Sequence, residues 1–163
     1  MPDIRVLRGL PCAGKSAWVE AQKAAYRKQD VMVWSFSADD FFTDRKTGVY
    51  EFIPAGLSAA HAECLRRFHK RLSEGLRPEE LVLVDNTNLR AYEIAPYYQL
   101  AKALSDGSWD IKLLEFRTDI STILARNHQR QVKQLTCEKL LQMERTLLTE
   151  DLPLHWKRQI ILG

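Results

Sequence analysis

The stretch RVLRGLPCAGKSAW, residues 5–18, decides how the rest of the chain is read. Its lead-in, IRVLRG over 4–9, has the apolar density of a buried strand, and SAWVEAQKAAYRK over 16–28 has the composition of a helix. Between them Gly9-Leu10-Pro11-Cys12-Ala13-Gly14-Lys15-Ser16 matches G-x-x-x-x-G-K-[ST] in the order strand, loop, helix. Gly9 and Gly14 permit backbone angles that a side chain resists, so successive N–H groups can converge on phosphate oxygens. The helix that follows adds its positive N-terminal end. Gly9, Pro11, Cys12, Ala13, Gly14, Lys15, Ser16 and Ala17 are the expected phosphate-binding set. In this pattern the lysine reaches the β- and γ-phosphates of a nucleoside triphosphate, and the Ser16 hydroxyl faces Mg²⁺. Cys12, an oxidisable thiol by its chemistry, reads first as a small residue filling a tight loop.

Outward from this stretch, short apolar runs alternate with helical segments. VMVWSFS (31–37), LVLVD (81–85), IKLLEF (111–116) and KRQIIL (157–162) read as further strands. LSAAHAECLRRFHKRL (57–72) puts Leu57, Ala60, Cys64, Leu65, Phe68 and Leu72 on one helical face. EIAPYYQLAKAL (93–104) reads as a helix with Pro96 in its first turn, and two more helices are expected near 119–132 and 137–148. Strands alternating with helices imply an α/β fold, a parallel sheet covered on both faces. Ligands of such sheets lie beyond the C-terminal ends of the strands.

With 163 residues, 45% apolar and 28% charged, the chain suits one globular domain over 1–163. A net charge of +3 argues against a protein that coats nucleic acid, so any such contact is expected to be local. No apolar run reaches membrane-spanning length, and no leader pattern opens the chain. Cys12, Cys64 and Cys137 are odd in number and far apart, without metal or disulfide spacing. The expected compartment is the cytoplasm.

Three further motifs follow strands. In SFSADDFF, Asp39 or Asp40 is placed to accept a proton from an attacking hydroxyl, and Asp is equally at home capping a helix or turn. LVLVDNTN ends a wholly apolar strand in Asp85, where an acid helps hold Mg²⁺. The late basic segment RTDISTILARNHQRQVKQL carries Arg117, Arg126, Arg130 and Lys133, and Arg126 is the candidate to stabilise charge on a moving phosphoryl group.

In order, GLPCAGKS, SADDFF, VDNTN and ARNH resemble the P-loop kinases grouped with the phage 5′-hydroxyl polynucleotide kinase, with zeta-toxin-like kinases as more distant relatives. GVYEFIPAGLSAAHAECLRRF resembles the bacterial and phage AAA-family ATPases of the same group. The resemblance spans roughly residues 4–147. It implies a P-loop NTPase fold with a helical lid, and transfer of the γ-phosphate of ATP or another NTP to a hydroxyl. It matches Lys15 and Ser16 to the phosphate and metal contacts, Asp39 to the general base, Asp85 to the acid of the D-N-T-N motif and Arg126 to the lid arginine. Two positions depart from the pattern. Phe42 stands where the polynucleotide kinase has an arginine on the acceptor phosphate, with Arg45, Lys46 and Arg90 as nearby substitutes. QRQVKQL also lacks the glycine and proline of the usual lid turn.

The resulting expectation is a Mg²⁺–ATP-dependent kinase with catalytic Lys15, Asp39 and Arg126, metal-binding Ser16 and Asp85, and no membrane partner. The expected acceptor is the 5′-hydroxyl of RNA or DNA, tracked by Arg66, Arg67, Lys70 and Arg71. The alternatives are a small hydroxylated acceptor, such as a nucleoside or sugar nucleotide, and an NTP-binding module without turnover. A GTPase switch is disfavoured because no Asn-Lys-x-Asp motif is present.

Overall fold

Apolar runs bounded by glycines and polar turns become strands, and the computed structural model, which describes residues 1–163, gathers five of them into one sheet. The elements are β1 (Asp3–Arg8), α1 (Lys15–Arg27), β2 (Val33–Phe36), α2 (Leu57–Ser73), β3 (Leu81–Asp85), α3 (Ala91–Ser105), β4 (Asp110–Arg117), α4 (Ile120–His128), α5 (Cys137–Thr149) and β5 (Arg158–Leu162). Short 3₁₀ turns at Ala38–Phe42 and Pro54–Gly56 join β2 to α2. The strand order is β2-β3-β1-β4-β5, and every pairing is parallel.

The continuous apolar run of β3 has the physical consequence expected of a strand buried on both faces. Val82 and Val84 enter one core with Phe68 and Leu72 of α2 and Ile94, Tyr97 and Tyr98 of α3. Leu81 and Leu83 enter the other, with Val19 of α1, Ile123 of α4 and Leu140 and Leu147 of α5. The helices therefore cover both faces, as the alternation of elements requires.

Two elements differ from the sequence expectation. The Glu93 carboxylate accepts the Arg90 backbone N–H at 2.8 Å, one half of a capping box, so that α3 starts at Ala91 and Pro96 falls in its second turn. The helix expected near 119–132 stops at His128. The buried Asn127 side chain ends it by binding Leu135 twice: Nδ2 donates to the Leu135 carbonyl at 2.7 Å, and Oδ1 accepts the Leu135 N–H at 2.9 Å. Residues 129–136 are thereby fixed as a loop between α4 and α5 rather than a longer helix.

The central strand carries an unusual charge. Arg8 is 1% exposed and donates to Glu115 of β4, itself 0% exposed, at 2.7 Å. Its second terminal nitrogen reaches the carbonyls of Leu89 (2.8 Å) and Leu147 (3.1 Å). Burial pulls the guanidinium below its ordinary pKa, and Glu115 opposes that shift. No helix of the chain is long and apolar enough to cross a membrane.

Candidate functional site

The loop after β1 takes the shape its glycines predict. Gly9 has φ +156°, and a Cβ there would sit 3.0 Å from Phe116, so the loop passes close to β4. Gly14 has φ +99° and caps the N-terminus of α1, while Cys12 also lies in the left-handed region. Pro11 and Ala13 complete the turn, and Ser16 and Ala17 are exposed on the first turn of α1. The Lys15 ammonium folds back to donate to the carbonyls of Gly9 and Leu10, both at 2.7 Å. Lys15 is 8% exposed, and burial pushes its pKa down to about 8 against the opposing pull of Asp85.

Each residue after β3 is tied to its surroundings in a definite way. Asp85 lies opposite Leu7 in the β1–β3 register, two residues before the loop. Burial raises its pKa and Lys15 lowers it. Asn86 accepts the Ala38 N–H at 2.8 Å and so ties β3 to the 3₁₀ turn that carries Asp39. The Thr87 carbonyl accepts the Gly9 N–H at 2.9 Å, and the Asn88 side chain donates to the Leu7 carbonyl at 2.8 Å. The polar run Asn86-Thr87-Asn88 is thus the strut between the two loops.

The acidic pair divides its work. Asp39 and Asp40 sit in a 3₁₀ turn, and their side chains diverge. Asp40 caps: its carboxylate accepts the Ser37 N–H at 3.3 Å and pairs with Arg67 at 3.1 Å. Asp39 faces the loop of residues 129–136. Lys133 donates to its Oδ2 at 2.8 Å, and the Tyr50 hydroxyl lies 3.5 Å from its Oδ1. Phe42 is 7% exposed, edge-to-face with Phe41, Tyr50 and Phe52, so this position is the hub of an aromatic cluster and not an anion contact.

The basic residues separate as well. Arg126 reaches the phosphate loop and donates to the Cys12 carbonyl at 3.0 Å. Arg130 lies close enough to Lys15 and Tyr50 to shift both. Arg117 is drawn away to Glu115 (2.6 Å), and Arg90 pairs with Glu150 at 3.6 Å instead of facing Asp39. Three of the four cations expected to track a phosphate backbone are neutralised within the chain. Arg66 pairs with Glu63 at 2.7 Å, Arg67 with Asp40, and Arg71 with Glu80 at 2.7 Å. Lys133, Tyr50 and Asn86 are the site residues that spacing alone does not single out. The basic segment was visible, but not the break after His128 that aims Lys133 at Asp39.

A parallel sheet in the order β2-β3-β1-β4-β5, with a Gly-Lys-Ser loop between its middle strand and the first helix, defines a P-loop nucleotide-binding fold. The chain belongs to the AAA domain family AAA_33, whose model matches residues 4–148. Among solved structures it is similar to a gluconokinase from Sinorhizobium meliloti 1021, at 16% identity over 99% of this chain and 82% of that one, with a TM-score of 0.62. It is also similar to the Mycobacterium tuberculosis APS kinase in complex with AMPPNP and APS, at 16% identity over 78% and 69% of the two chains and a TM-score of 0.55. A sugar kinase from Janibacter sp. HTCC2649 matches at 14% identity over 99% and 85%, with a TM-score of 0.54. At these identities the likeness is one of fold.

Proposed function

We propose that residues 1–163 act as one kinase domain that moves the γ-phosphoryl group of ATP to the hydroxyl of a small acceptor. The observation that carries this reading is the gathering of the motifs beyond the strand ends: Asn86, next to Asp85, binds the Ala38 N–H of the turn that carries Asp39, and Arg126 reaches the loop of Lys15 at the Cys12 carbonyl. Lys15 leaves its two loop carbonyls for the β- and γ-phosphates. Asp39 takes the proton of the acceptor hydroxyl as that oxygen bonds to the γ-phosphorus and the bond to the β–γ bridging oxygen breaks, releasing ADP. Arg126 and Arg130 offset charge on the transferring group from the other side. Most of the rate enhancement is positioning and electrostatics.

The oxygen donors fit Mg²⁺. Ser16 offers an exposed hydroxyl, and Asp85 a half-buried carboxylate engaged by no hydrogen bond or salt bridge. Hard oxygen ligands completed by water are what Mg²⁺ takes. When bound, it supplies charge compensation to the phosphates.

A small acceptor is favoured over a nucleic-acid end by the buried Phe42 and by the neutralised cations of α2. The structural neighbours named for gluconate, APS and sugars agree with that choice. The test offers γ-labelled ATP with sugars, sugar acids, nucleosides, sugar nucleotides, 5′-hydroxyl RNA and 5′-hydroxyl DNA, beside an acceptor-free control. Label on a small molecule is the expected result. Label only on oligonucleotides, with a KM that rises with salt, would replace this reading by the polynucleotide one. Nucleotide binding without transfer would leave a binding module.

A further inference from the structure

Lys133 is held as few surface lysines are. Its ammonium lies 2.8 Å from Asp39 Oδ2 and 4.1 Å from the centre of the Tyr50 ring, so it is clamped between a carboxylate and an aromatic face. Its backbone is fixed in the left-handed region at φ +60°, and its carbonyl accepts Arg130 Nη1 at 3.0 Å. The two bonds from Asn127 to Leu135 anchor the same loop to α4. The side chain is 31% exposed and that of Asp39 is 52% exposed, so both open to the space an acceptor must enter. The adjacent carboxylate, Asp40, is taken by Arg67 and Ser37.

An acceptor hydroxyl that hydrogen-bonds to Asp39, at Oδ1 or beside Lys133 at Oδ2, comes to lie next to the Lys133 ammonium, whose three N–H groups this one carboxylate does not exhaust. When Asp39 takes the acceptor proton its charge is lost, and the ammonium, still held over Tyr50, is left without its ion-pair partner. A neutral acceptor strands the cation, whereas an anionic one completes it. We propose that Lys133 is the specificity-determining residue of the acceptor site and selects small hydroxylated molecules that carry an anionic group close to the hydroxyl to be phosphorylated. This rests on the reading of Asp39 as the proton acceptor.

The test pairs acceptors of matched shape and different charge under saturating ATP: glucose with gluconate, glycerol with glycerate, and nucleosides with their monophosphates. The wild-type protein is expected to prefer the anionic member of a phosphorylated pair. In Lys133→Gln the ratio of kcat/KM, anionic over neutral, is expected to fall roughly 10- to 100-fold, the worth of a charge-assisted bond. Lys133→Arg should restore most of the ratio. A lysine that merely shapes the loop would lower both members equally, so an unchanged ratio overturns the proposal. Preference for the neutral member overturns it too. No transfer to any member while other acceptors of the wider panel are labelled overturns the proposal and leaves a kinase; no label on any acceptor while ATP still binds overturns the kinase reading itself.

Discussion

The two walls of the site are built by different physics. On the nucleotide side, the residues are buried and held by backbone: Gly9 N–H to the Thr87 carbonyl, Lys15 to two loop carbonyls, Asn88 to the Leu7 carbonyl. On the acceptor side, Asp39, Tyr50 and Lys133 are joined by side-chain contacts between groups that still meet solvent. Backbone bonds in a dry core leave the side chains one arrangement and impose a motif that any sequence must satisfy. Contacts between exposed charged groups are weak singly and easily replaced by a ligand. The first wall suits a task shared by a whole fold class, and the second suits a choice particular to one chain.

The sharpest break of that contrast is Lys15→Ala. It removes the cation that the loop aims at the phosphates, and transfer is expected to fall to the detection limit while the far-ultraviolet circular dichroism stays native. Wild-type-like transfer by a folded variant would sink the phosphate-cradle reading. On the other wall, Asp39→Asn keeps shape and loses the base. Its kcat is expected to drop about 10²- to 10⁴-fold, with ATP affinity near normal in a binding titration.

A third substitution probes what supports the buried wall. Glu115→Gln leaves Arg8 charged and unpaired in the core, which costs about 3–5 kcal/mol of stability by denaturant unfolding. A loss of only a few tenths would mean that the pair is dispensable. The pH dependence is smaller. Lys15 must be charged to hold phosphate, and with its pKa near 8 in the free protein it loses its proton as pH rises through that value. The Kd for ATP is expected to be flat below pH 7 and to climb above pH 8, approaching about tenfold per unit. Phosphate binding should then be accompanied by proton uptake, which calorimetry in two buffers measures. The smallest effect belongs to Asp40→Asn, whose loss belongs in the thermal midpoint, because this residue caps a turn and pairs with Arg67. A collapse of kcat there, with Asp39→Asn active, would exchange the two roles.

Legibility in the sequence follows the same division. Strand runs, the Gly-Lys-Ser loop and the polar tail after LVLVD are local patterns with local causes, and the structure brings Lys15, Asp85 and Asp39 together as their positions after strands imply. The acceptor wall was less legible because its causes are distant. Asn127 looks like any polar residue late in a helix until it is seen binding Leu135, and only that break turns Lys133 toward a residue 94 positions earlier. The basic face of α2 was legible as charge, and the i,i+3 pair of Glu63 and Arg66 is local to it, but Asp40 and Glu80, which neutralise Arg67 and Arg71, lie on other segments, so that part was not.

The Arg8 guanidinium has a consequence for how the molecule comes into being. It is the residue before Gly9, and it is gripped by Glu115 and by the carbonyls of Leu89 and Leu147. The root of the phosphate loop therefore cannot be completed until chain emerging 139 residues later is in place. Contacts of such separation make folding slow. A nascent chain displaying its first motif is still without the contacts that hold the root of that loop, and the last of them closes only when α5 has docked.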